Sequence, residues 1–99
     1  MFHPIQWWRQ RRFRVFQFRL SELDVEIELC QKFYDLLIST IKLGNRMESR
    51  LRLMELGIDL ARCQFILDLQ IGPRLAQLLN ERFEAEKGKR ELEFLIGQN

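Results

Sequence analysis

Few side chains in this chain could take part in covalent or acid–base chemistry, and their spacing works against each. The single histidine, His3, stands just before Pro4 and far from both cysteines. Nucleophilic catalysis needs a nucleophile, a base and a group that orients the base, and no such set can be assembled around His3. Cys30 and Cys63 lie 33 residues apart, without the paired spacing of a zinc site. The carboxylates Glu81, Glu84, Glu86, Glu91 and Glu93 are interleaved with Lys87, Lys89 and Arg90. That is the pattern of solvated i,i+3 and i,i+4 pairs on a helix surface. Glycines at 44, 57, 72, 88 and 97 are too dispersed to cradle a phosphate. These features predict a protein that is not an enzyme and carries no cofactor or metal.

One constellation remains, "IQWWRQRRFRVFQFR" at residues 5–19. Arginine interleaved with aromatic rings suits three kinds of partner. A protein interface uses Trp and Arg as desolvated anchors. Nucleic acid offers phosphates to guanidinium groups and exposed bases to rings. An anionic membrane surface accepts tryptophan at the headgroup level. A fourth reading leaves the rings capping the chain's own core while the arginines reach water. The candidate contact residues are Trp7, Trp8, Arg9, Arg11, Arg12, Phe13 and Arg14, the rings as anchors and the arginines as charge-assisted donors.

Charge distribution supports a specialised N-terminus. The net charge is +2, yet residues 1–20 hold five arginines and no acid, leaving the other 11 basic residues against all 14 acids. Ninety-nine residues with 46% apolar and 30% charged content describe one small globular domain. No apolar run approaches the ~20 residues of a bilayer span, and a signal-peptide core is lacking. An arginine-rich start shares one trait with a mitochondrial presequence, but few serines and a Trp-Trp pair argue against one. Two cysteines do not make a disulfide scaffold. Buried free thiols in a reducing cytoplasm are the expectation.

Helical periodicity is strong from Ser21 onward. Leu23, Ile27, Cys30, Tyr34, Leu37 and Ile41 form a stripe, widened by Val25, Leu29, Phe33 and Leu36. Gly44-Asn45 reads as a stop. A new stripe follows at Met47, Leu51, Met54, Ile58, Ala61 and Phe65, with Leu53, Leu56, Leu60, Cys63 and Leu67 as a second row. The change of phase at Gly44 predicts an antiparallel helical hairpin. Gly57 is read as lying inside the second helix, at a close backbone contact. Gly72-Pro73 reads as the end of that helix and the start of a third. The expected fold is mainly α: helices at about 22–43, 46–70 and 73–87, a short one at 89–96, and a separate basic-aromatic segment over 1–20 preceding a helical domain at 21–99.

The stretch "FRVFQFRLSELDVEIEL", residues 13–29, supports a second architecture. It alternates like a β-hairpin, with Arg19 facing Asp24 across a Ser21-Glu22 loop. The alternative fold is therefore α+β with an N-terminal hairpin. Against it, Ser-Glu is poor chemistry for a tight hairpin turn. Ser21 and Asp24 suit a helix start, with Glu22, Asp24 and Glu26 crowding the first turn, so the helix is favoured.

The function expected is that of a small cytoplasmic regulator or adaptor that binds a larger protein or protein complex. One concrete setting is a phage-type modulator or inhibitor of a host DNA-processing enzyme. Direct nucleic-acid binding and attachment to a membrane surface are the rival readings. Self-association is a further expectation, because the broad apolar faces exceed what one short third helix can cover.

Overall fold

A computed structural model describes residues 4–97, and these residues contain helices and turns but no strand. Helix α1 runs from Pro4 to Leu43, α2 from Met47 to Glu55, α3 from Leu60 to Ile66, and α4 from Gly72 to Ile96. A π-helical stretch, Leu67–Ile71, joins α3 to α4. Every regular element among the described residues is helical. His3 lies outside the described residues.

Helix α1 runs through 13–29, where the alternative fold had a hairpin, and takes in residues 4–20 of the segment expected to be separate. Pro4 occupies the first helical position, where its missing N–H costs nothing, and no Gly or Pro interrupts the chain until Gly44. Ser21 does not cap a helix. Its hydroxyl donates to the carbonyl of Gln17 at 3.1 Å, one turn back within α1. The alternating charges that suggested strand pairing find partners on α4 instead. Arg19 pairs with Glu81 at 2.8 Å, and Asp24 accepts from Arg82 at 2.6 Å.

The chain forms two compact units. Among the described residues, the first comprises 4–27 together with 78–97. Here α1 and α4 run antiparallel, shown by contacts from Gln6 to Ile96, Phe16 to Gly88 and Asp24 to Arg82. Leu20, Leu23, Leu78, Ala85 and Leu92 are its buried apolar side chains. The stripe read from Leu23 to Ile41 in fact extends backward through Leu20, Phe16, Phe13, Arg9 and Gln6 at alternating spacings of 3 and 4. Arg82 also reaches Glu86 at 2.8 Å, and the bond to Asp24 is the chief cause of its raised pKa.

The second unit spans residues 28–77. Gly44 ends α1, its N–H bonded to the Thr40 carbonyl at 3.1 Å. It is buried against Leu60, which a β-carbon there would strike. The expected helix over 46–70 is broken at Gly57, whose φ of 76° is left-handed. Gly57 N–H bonds to the Met54 carbonyl at 3.0 Å and Ile58 N–H to that of Leu53 at 2.9 Å. This pair of bonds is a Schellman ending. Gly57 therefore serves a turn, not a close contact, and a β-carbon there would meet nothing within 4 Å. Asp59 then caps α3, accepting from Ala61 N–H at 3.0 Å and Arg62 N–H at 3.3 Å.

Gly72-Pro73 does not stop the helix. The π-helical stretch widens the backbone ahead of the proline, and Gly72 N–H bonds five residues back to the Leu67 carbonyl. A proline ring normally clashes with the carbonyl four residues earlier, and a π-bulge relieves that. A β-carbon at 72 would come 2.8 Å from the Leu67 carbonyl oxygen, so glycine fits this path. The inward row of this unit is Leu53, Leu60, Cys63 and Leu67. Met47, Leu51, Met54 and Phe65, read as the core stripe, are exposed instead. Cys30 and Cys63 are free and half-buried, and Cys30 donates weakly to the Ile71 carbonyl at 3.9 Å.

Candidate interaction surface

The basic-aromatic stretch is divided by helical geometry into an inner and an outer side. With 3.6 residues per turn, Gln6, Arg9, Phe13 and Phe16 fall on the side that meets α4. Gln6 Nε2 donates to the Ile96 carbonyl at 3.3 Å, and an Arg9 guanidinium nitrogen donates to that of Leu95 at 3.4 Å. Those carbonyls belong to the last turn of α4, which has no helical donors left for them. Phe13 is half-buried beneath Lys89, whose Nζ stands 5.6 Å from the ring centre. Of the seven sequence-predicted contact residues, Arg9 and Phe13 are thus engaged within the fold.

Trp7, Trp8, Arg11, Arg12 and Arg14 lie on the outer side and are exposed. Arg11 stacks over Trp7 at 5.4 Å, while Arg12 lies over Trp8 at 5.3 Å and over Phe16 at 5.9 Å. These i,i+4 stacks hold long side chains in place without neutralising them. Among the described residues, no carboxylate lies within ion-pair distance of Arg11, Arg12 or Arg14. By contrast, Arg19 and Arg82, further along the same unit, both have carboxylate partners. Trp8, Arg11, Arg12, Val15 and Phe16 line a shallow hollow of about 380 Å³.

A larger open groove of about 610 Å³ runs past Arg14, Ser21, Asp24, Arg82 and Glu86. Its acids are tied to Arg82, and the Ser21 hydroxyl donates to the Gln17 carbonyl. Among the described residues, no three His, Cys, Asp or Glu side chains are grouped as metal ligands. Among the described residues, no helix is long and apolar enough to cross a membrane.

Large apolar side chains are exposed well beyond the tryptophans. Val15, Phe18 and Val25 protrude from α1 in the first unit, as do Leu79, Phe83 and Phe94 from α4. In the second unit Leu29, Leu36, Met47, Leu51, Met54 and Phe65 do likewise. Sequence reading placed several of these in a core. Exposed apolar area on this scale marks surfaces that bind other molecules.

Fold and surface together define a small all-helical chain with a cationic, ring-lined helix face. Comparison with protein-family models, curated proteins and solved structures finds no match to it.

Proposed function

We propose that this chain is a small non-enzymatic adaptor that docks on a larger protein through the outer side of α1 near its N-terminus. Three guanidinium groups without carboxylate partners, set beside exposed indole rings, carry this reading. Such groups gain most from a partner that supplies carboxylates around an apolar contact, because charge-assisted bonds strengthen as water is excluded. An acidic protein surface meets both needs. Base stacking is less well served, since Arg11 and Arg12 already cover one face of Trp7 and of Trp8.

The test uses the full chain as bait in cell lysate, then purified partner at increasing salt. Wild type is compared with a Trp7→Ala/Arg12→Ala/Arg14→Ala variant shown by circular dichroism to be equally helical. Loss of a discrete protein partner by the variant supports the reading. Identical partners for both retire it. Retention of nucleic acid alone, with steep loss at higher salt, transfers the surface to nucleic-acid binding.

A further inference from the structure

We propose that α1 pairs with α1 of a second copy of this chain, antiparallel, through the face opposite α4. Within the first unit, Trp8, Val15, Phe18 and Val25 are 53%, 60%, 68% and 58% exposed. Their spacings of 7, 3 and 7 residues are those of the two seam positions of a coiled coil. Two other side chains complete the same lattice, Arg11 and Glu22, and both are exposed. On a helix of 3.6 residues per turn this seam lies across from Leu20 and Leu23, which are buried. Helix α1 thus carries two long faces, and α4 occupies only one.

Charge identifies the occupant. Suppose two such seams run antiparallel, so that Val15 of one copy meets Phe18 of the other. Trp8 then meets Val25 of the second copy, and Arg11 meets its Glu22. Two-fold symmetry repeats each layer, so every apolar seam residue faces an apolar one and each charge faces its opposite. Other arrangements fail. Parallel in-register pairing sets Arg11 on Arg11 and Glu22 on Glu22. Sliding the antiparallel pair by one heptad places Arg11 against Leu29 and Glu22 against Phe18, burying both charges unpaired. The seam polar residues therefore specify one register, as buried polar groups in coiled coils do. The contact extends ~26 Å from Trp8 to Val25.

Arg12 and Arg19 flank the seam and approach their counterparts, but Glu81 of the same chain pairs with Arg19 at 2.8 Å. This inference goes beyond the docking proposal and assigns Trp8 and Arg11 to the dimer. Trp7, Arg12 and Arg14 remain at its rim for another molecule.

Sedimentation equilibrium of the full chain, over a wide concentration range and without other macromolecules, tests the pairing. Wild type is expected to dimerise reversibly. Glu22→Arg and Arg11→Glu each set like charges together twice per dimer, and each should weaken association by ~100-fold. The double variant Arg11→Glu/Glu22→Arg restores opposite charges and should recover wild-type association. A monomeric wild type overturns the proposal, as does a dimer indifferent to either reversal or a charge swap that fails to rescue. Circular dichroism checks that the variants remain helical. The Trp7/Arg12/Arg14 variant used for docking should still dimerise, so the two proposals fail separately.

Discussion

The ring of Phe16 on α1 lies directly over Gly88 on α4. A β-carbon at 88 would come within 2.8 Å of Phe16 Cζ and 2.9 Å of Cε1. Glycine is otherwise a poor choice inside a helix, costing about 1 kcal/mol relative to alanine. Its presence lets the two helices of the first unit approach closely with an aromatic ring between them.

Gly88→Ala should therefore show opposite effects in two backgrounds. In wild type the clash offsets the gain in helix propensity, and stability falls or stays level. In Phe16→Ala the obstruction is gone, and the same change should stabilise by about 1 kcal/mol. Urea denaturation of the four proteins in this cycle gives the coupling, expected to reach at least ~1 kcal/mol. Equal effects of Gly88→Ala in both backgrounds would show that the ring does not constrain this site.

The junction between α2 and α3 depends on two different local devices. Gly57 supplies a left-handed backbone that costs an L-residue roughly 1–2 kcal/mol. Asp59 satisfies two N–H groups at the start of α3, and losing such a cap costs about 1 kcal/mol. Gly57→Ala and Asp59→Ala should each lower the denaturation midpoint, whereas Gly57→Asn should be milder because asparagine tolerates this conformation. An unchanged midpoint in Gly57→Ala would mean that the turn at 57 is not held in solution.

The helical hairpin was legible because its signals are local: an unbroken stripe from Leu23 to Ile41 and a phase change at Gly44-Asn45. The N-terminal half of α1 was hidden because the inner stripe continues through Arg9 and Gln6, polar residues that serve α4's terminal carbonyls. Extrapolating the spacing backward through Leu20, Phe16 and Phe13 would have revealed it. Gly57-Ile58-Asp59 held both a helix stop and a cap, but the apolar rows on either side kept enough periodicity to mask the break. Pro73 misled in the opposite direction, since a π-helical stretch depends on backbone adjustment rather than on a residue signature. For the surface, residue types were legible while their sides were not. Once α1 is continuous, helical phase separates Arg9 and Phe13 from Trp7, Trp8, Arg11, Arg12 and Arg14.

That separation makes Arg9 the sharpest test of how the basic stretch is shared between fold and partner. Its guanidinium donates to the Leu95 carbonyl in the last turn of α4, where positive charge also complements the helix dipole. Arg9→Met keeps an apolar stem of similar length but removes the donor and the charge. Stability should fall by about 1 kcal/mol, the usual net worth of one such bond. Hydrogen exchange should quicken first in the closing turn of α4, near Phe94, Leu95 and Ile96. Partner capture should be unaffected, whereas loss of Arg12 and Arg14 should reduce capture with little change in stability, because neither makes a hydrogen bond or ion pair to α4. If Arg9→Met instead abolished capture while leaving exchange in α4 unchanged, Arg9 would belong to the docking surface and the contact with Leu95 would not be its role.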